Sequence, residues 1–238
     1  MARKKMVPSK ECPGKYQYEY YRKDGSVTYS APFEKSSGRK KEGENLSKDF
    51  LKSTEFNNGL KLGNYGGKVT DSQLKQVGID PQTMSKVGWD KYMESERTPN
   101  GERVWSITDK GREHLSKMEG EKVCAYRSQT KDAYYKHDIK LSSEIAYHME
   151  KGHVQKLYSE SEIRDMWEKE MYRLSYEDPV KFQEALDKNM SPPDVVYINQ
   201  EGQMVAIEVV SPHYTQAQIE AKIEFCNFMN IEYTSVNC

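Results

Sequence analysis

The stretch ERTPNGERVWSITDKGREHL, residues 96–115, joins a tight turn to a strand and the strand to a capped helix. Asn100-Gly101 is a two-residue hairpin signal, because both central positions of such a turn favour residues that tolerate positive φ. Val104, Trp105 and Ile107 supply the apolar side of a short strand after it. Thr108 then offers a side-chain oxygen to the free N–H groups of a helix running through Leu115.

Upstream, Leu46, Phe50, Leu51 and Phe56 recur as on one helix face, so a first helix is predicted there. The glycine-rich run Gly59-Leu60-Lys61-Leu62-Gly63-Asn64-Tyr65-Gly66-Gly67 is expected to stop it. Thr70 caps a second, short helix with Leu74 and Val77 inward, ended by Gly78. Asp80-Pro81 opens a third, an N-cap with proline at the first helical position. Met84, Val87, Trp89 or Tyr92, and Met93 supply its apolar positions.

Three helices, a hairpin and a following helix make the plan of a winged helix-turn-helix over residues 46 to 118. Residues 106–115 resemble the exit from the wing in many bacterial winged-helix regulators. A small helical domain with a protein-facing groove is the plain alternative. The resemblance implies that the third helix enters the major groove of double-stranded DNA with Gln82, Thr83, Ser85 and Lys86. Arg97, Arg103, Lys110 and Arg112 would then meet the phosphate backbone, with Asp90 and Glu94 turned away.

The net charge of −1 conceals an asymmetry. Residues 1–41 hold eleven Lys or Arg against four Asp or Glu, +7, leaving −8 on the other 197. A basic, partly flexible arm over residues 1 to 45 adds salt-dependent affinity for an anionic partner, or is simply a solvated tail. Within it, Tyr16-Gln17-Tyr18-Glu19-Tyr20-Tyr21 and Val27-Thr28-Tyr29 flank Asp24-Gly25 as a hairpin would. Cys12, Cys124, Cys226 and Cys238 are too scattered for a zinc site or a disulfide framework and read as reduced thiols. No run of about 18 apolar residues occurs, so a cytoplasmic location with no membrane partner is expected.

Residues 119 to 238 change character. Amphipathic stretches cover residues 132–150 and 161–174, the second behind a capping box from Ser159 to Glu162. Strands are predicted at 193–198, 203–210 and 231–236, with a turn at 199–202 and a helix over 215–229. Asp194 and Glu208, on hairpin partners, are placed to share a divalent cation, and a nearby lysine would suit phosphodiester hydrolysis.

Pro193-Asp194, a hairpin and Ile207-Glu208-Val209 ahead of a helix and strand resemble the core of the PD-(D/E)xK nuclease superfamily. That implies a restriction-endonuclease-like α/β domain over residues 119 to 238 and an α+β fold overall. One departure matters: Val210 stands where the superfamily has its lysine. Lys222 on the next helix is a relocated substitute, though as a sequence position it reads first as a solvated helix residue. His213 is another substitute, or part of a plain turn beside Pro212. Glu168 and Glu170 are a further acid or, more simply, exposed helix carboxylates, and His137 reads first as a hydrogen-bond partner.

A winged helix, then Tyr135-Lys136-His137-Asp138-Ile139, then Pro193-Asp194 and Ile207-Glu208, resembles the replication-relaxation family of plasmid and mobile-element proteins. The expectation is a sequence-specific DNA-binding accessory or regulatory protein with a catalytically silent nuclease-like domain. It would need no cofactor, and its partners would be double-stranded DNA, a relaxase or replication protein, and a second copy as homodimer. A working endonuclease with Asp194, Glu208 and Lys222 and bound Mg²⁺ or Mn²⁺ is the alternative. A non-catalytic protein-binding adaptor is the third reading.

Overall fold

Alternation along two strands sets the layers of the C-terminal half. In β8 (Val195–Ile198) and β9 (Met204–Val210), residues Val195, Tyr197, Val205, Ile207 and Val209 enter one apolar core. Val196 and Ala206 enter another with Ile163, Phe225, Cys226 and Ile231. Both faces of the hairpin are therefore covered, which explains a β9 that reads as an almost unbroken apolar run.

A computed structural model describes residues 3–8, 16–21, 26–29, 47, 49–81, 89–124 and 132–238. The protein is α+β, and the chain divides into two units, residues 1–44 and 45–238. In the first, β1 (Arg3–Pro8), β2 (Tyr16–Tyr21) and β3 (Val27–Tyr29) form an antiparallel sheet. The β2–β3 pairing, Tyr21 opposite Val27, is the expected hairpin. β1, within the basic arm, was not expected.

The second unit begins with α1 (Thr54–Tyr65), capped by Ser53, and α2 (Asp71–Gln76), whose Thr70 and Gln73 form a capping box. A sheet of order β4-β6-β5 follows, from β4 (Val69–Thr70), β5 (Met93–Arg97) and β6 (Arg103–Ile107). α3 (Asp109–Glu119) leaves β6 as expected, with Thr108 Oγ1 accepting the Gly111 N–H at 3.1 Å. Phe56 is the hub of this end, with the rings of Phe50, Trp89, Tyr92 and His114 edge-on at 5.2–5.6 Å.

Then come α4 (Asp132–Glu150), β7 (Lys156–Ser159), α5 (Glu160–Glu177) and α6 (Pro179–Asp187), and after β8 and β9, α7 (Gln216–Met229) and β10 (Glu232–Asn237). The sheet order is β10-β9-β8-β7. β7, β8 and β9 pair antiparallel, and β10 returns parallel to β9 through α7.

Several expectations need correction. The glycine-rich run does not stop α1 but forms its second half, because glycine is what close packing there allows. A Cβ on Gly59 would lie 3.0 Å from Ile79 Cγ1, and one on Gly63 2.6 Å from Met93 Cε. Met93 belongs to β5 rather than to a third helix, and Trp89–Lys91 is a 3-10 turn. β7 and α6 were missed, although Asp178-Pro179 caps α6 with the same signal as Asp80-Pro81. Leu46, Met84 and Val87 lie outside the described residues.

Residues 46–118 and 119–238 also share one core. Phe56, Leu60, Leu62 and Leu74 belong to the same cluster as Leu141, Ile145, Leu157 and Ile207. Polar bonds cross the same line: Gln73 Nε2 donates to Ile139 O at 2.7 Å and Ser142 Oγ to Lys68 O at 2.8 Å. Among the described residues, Cys124, Cys226 and Cys238 are free thiols, and no helix is long and apolar enough to cross a membrane.

Candidate active site

The register that pairs Val195 with Ile207 brings Asp194 and Glu208 opposite each other one step further along. They are tied reciprocally through the backbone. The Asp194 N–H donates to Glu208 Oε2 at 3.0 Å, and the Val209 N–H to Asp194 Oδ2 at 2.9 Å. Each carboxylate thus fixes the other's strand, so the pair is rigid before any ligand arrives.

Lys222 joins them from α7. Its Nζ lies 2.9 Å from Glu208 Oε1 and donates to the Pro192 carbonyl at 2.9 Å. Its side chain is only 12% exposed, so the solvated reading of this lysine is wrong. It is the seventh residue of α7, whose inward residues Ala221, Phe225 and Cys226 place the neighbouring face against the sheet. Val210 is paired with Asn237 at the end of β9.

His137, on α4, closes the other side. Nε2 lies 3.2 Å from Asp194 Oδ2, and Nδ1 3.5 Å from Oδ1 of Asp138, a residue 1% exposed. Burial favours the neutral ring, but the two carboxylates outweigh it and push the imidazole up to about 10. His137 is therefore a cation at neutral pH. Tyr214, missed in the sequence, is half-buried nearby, and burial followed by the Glu208 charge holds the proton on its hydroxyl. Its position six residues after Glu208, in an irregular segment, carries no periodic signal.

Glu208 is fully buried and Asp194 is 7% exposed. Burial, followed by the Asp194 charge, raises the Glu208 carboxyl well above the usual carboxylate range against the opposing pull of Lys222. Among the described residues no group of three or more His, Cys, Asp or Glu is arranged to hold a metal ion. Both carboxylates are already engaged, Glu208 by Lys222 and the Asp194 N–H, and Asp194 by His137 and the Val209 N–H, so a hard cation such as magnesium would displace part of this pairing on binding. His213 is exposed, as is Glu168, and Glu170 pairs with Arg173 on its own helix. None of the three joins the cluster.

The groups expected to meet DNA fare differently. Gln82, Thr83, Ser85 and Lys86 lie outside the described residues. Arg103 is committed to the fold, its Nε 3.1 Å from both Asp71 oxygens and its guanidinium 5.1 Å from the Trp105 ring centroid. Arg97 is exposed and donates to Gly101 O at 2.7 Å. Lys110 is exposed, its Nζ 5.4 Å from the Tyr92 ring centroid, and Arg112 pairs with Asp109. Compared with family models, curated proteins and solved structures, the chain matches none.

Proposed function

We propose that the protein is a metal-dependent DNA endonuclease whose hydrolytic centre is Asp194, Glu208 and Lys222. The convergence of Lys222 on Glu208 at 2.9 Å carries this reading, because it supplies the cation that Val210 cannot. Asp194 and Glu208 would hold Mg²⁺ or Mn²⁺, which when bound stabilises phosphate charge and acidifies water. Lys222 holds positive charge beside the carboxylates and orients the attacking water. His137 and the Val209 N–H both engage Oδ2 of Asp194 and so fix its plane.

DNA as substrate rests on the winged-helix plan of residues 46 to 118, the nuclease-like core, and the basic arm. Arg97, Lys110 and Arg112 stand available to phosphate once their weak surface pairs exchange. The test is incubation of supercoiled plasmid with the full chain and Mn²⁺ or Mg²⁺. Nicking or linearisation that disappears in Glu208→Gln and Lys222→Ala is the expected result, and an inert wild type removes the endonuclease.

One observation favours a second reading. Glu208 is 0% exposed, so a duplex cannot reach it without a movement of the surrounding residues. A catalytically silent core would use the same charges only to hold the fold, and the protein would act as a DNA-binding accessory or regulator of a mobile element. Its companions would be a relaxase or replication protein, or a second copy. Salt-sensitive DNA binding without cleavage is its signature.

A further inference from the structure

We infer that His148 and His153 form a second, separate site for a borderline divalent transition metal ion such as zinc. The two imidazoles come from different elements, His148 from the last turn of α4 and His153 from the loop before β7. Their Nδ1 atoms face each other at 3.3 Å. Two nitrogens on a tetrahedral zinc, each roughly 2.0–2.1 Å from it, are about 3.3–3.4 Å apart. The separation is that of one edge of a coordination tetrahedron.

The pair is held in place without a metal. The His153 N–H donates to the His148 carbonyl at 2.9 Å, closing the loop onto the helix end. Gly152 turns the chain at φ 71°, and its carbonyl accepts from Gln200 Nε2 at 2.6 Å, which ties the loop to the β8–β9 turn. The Tyr197 ring lies against His148 with centroids 4.9 Å apart, and its hydroxyl is 3.3 Å from the same Nδ1. One ligand ring is therefore braced by the sheet and the other by the loop, so little order is lost on binding.

His153 is exposed and His148 half-buried, so an ion has a path in and the remaining positions are filled by water. Imidazole nitrogens select zinc, copper or nickel over magnesium or calcium. This separates the site from the carboxylate pair Asp194 and Glu208, and the inference does not depend on the endonuclease reading.

Titration calorimetry of the full chain with ZnCl₂ tests it, in excess MgCl₂ so that the harder cation competes for the carboxylate pair. One equivalent of zinc bound, lost in His148→Ala and in His153→Ala, is the expected result. A rise in melting temperature with zinc that both substitutions abolish should accompany it. Tyr197→Phe keeps the ring against His148 and should retain binding. Zinc binding of equal stoichiometry in the His148→Ala, His153→Ala double variant, or none in the parent, overturns the proposal.

Discussion

The His137 imidazole bridges two acids of different standing, reaching Asp194 Oδ2 at 3.2 Å with Nε2 and Asp138 Oδ1 at 3.5 Å with Nδ1. Removing the ring leaves two nearly buried carboxylates facing an empty space. His137→Ala should therefore cost about 3–5 kcal/mol of stability, the range for breaking a buried pair from one side. His137→Gln, which can still donate to one carboxylate, should cost less. Urea unfolding of both variants checks the order.

The same ring sets a pH dependence. Its pKa is about 10 in the fold against an ordinary 6.5, so the folded state holds the proton more tightly than the unfolded one. That contribution is complete below about pH 6.5 and is lost as pH rises through about 10. Wild-type stability should decline across this window, and His137→Gln should decline less. An equal slope in both would place the loss elsewhere.

The position of the lysine is open to a swap. Val210 follows Glu208 by two residues on the same strand, so side chains at both positions share a face. Lys222→Ala should lower plasmid cleavage by about 10²–10³-fold, the scale for removing one electrostatic stabiliser. Adding Val210→Lys to that variant should restore part of the rate. Single-turnover cleavage assays would measure both changes.

Gly111 is fixed by backbone. A Cβ there would stand 2.3 Å from the Tyr92 carbonyl oxygen and 2.7 Å from Ile107 Cγ1. Gly111→Ala should destabilise by about 1–3 kcal/mol, since the obstacle cannot rotate away. At Gly63 the obstacle is the flexible end of Met93, and Gly63→Ala should be milder. Thermal unfolding ranks the two.

Arg103 should behave as a structural residue. Its guanidinium grips Asp71 with Nε and Nη2 and lies over Trp105, which itself donates to Asp71 at 2.6 Å. Arg103→Lys loses the fork and should cost about 1 kcal/mol. The salt slope of DNA binding should stay unchanged, whereas Arg97→Ala should reduce it by about 1. Fluorescence anisotropy over a salt series separates these outcomes.

The sequence was most legible where a local rule acts alone. Thr70, Thr108 and Ser159 cap helices through their own side-chain oxygens, and each was readable from a few residues, whereas the same role of Thr215 was not read. The strands β8 and β9 were readable as short, nearly unbroken apolar runs bounded by turn residues, Pro192-Pro193 before β8 and Asn199 to Gly202 between them. Legibility failed where tertiary packing overrides local preference, as in α1, where Gly59 and Gly63 are needed by Ile79, Trp89 and Met93. Lys222 was ambiguous for the same reason. A lysine on a helix carries no mark of whether Glu208 waits opposite, and only the register of β8 and β9 supplies it.

The core that runs from Phe56 to Ile207 bears on how the protein can be handled. A cut between residues 118 and 119 would strip Leu60 and Leu74 from Leu141 and Ile145, leaving each piece with a raw apolar surface. The two halves should therefore melt in a single transition and resist isolation as fragments. Any load placed on β5 or β6 passes through that shared core to the strands beside Asp194 and Glu208.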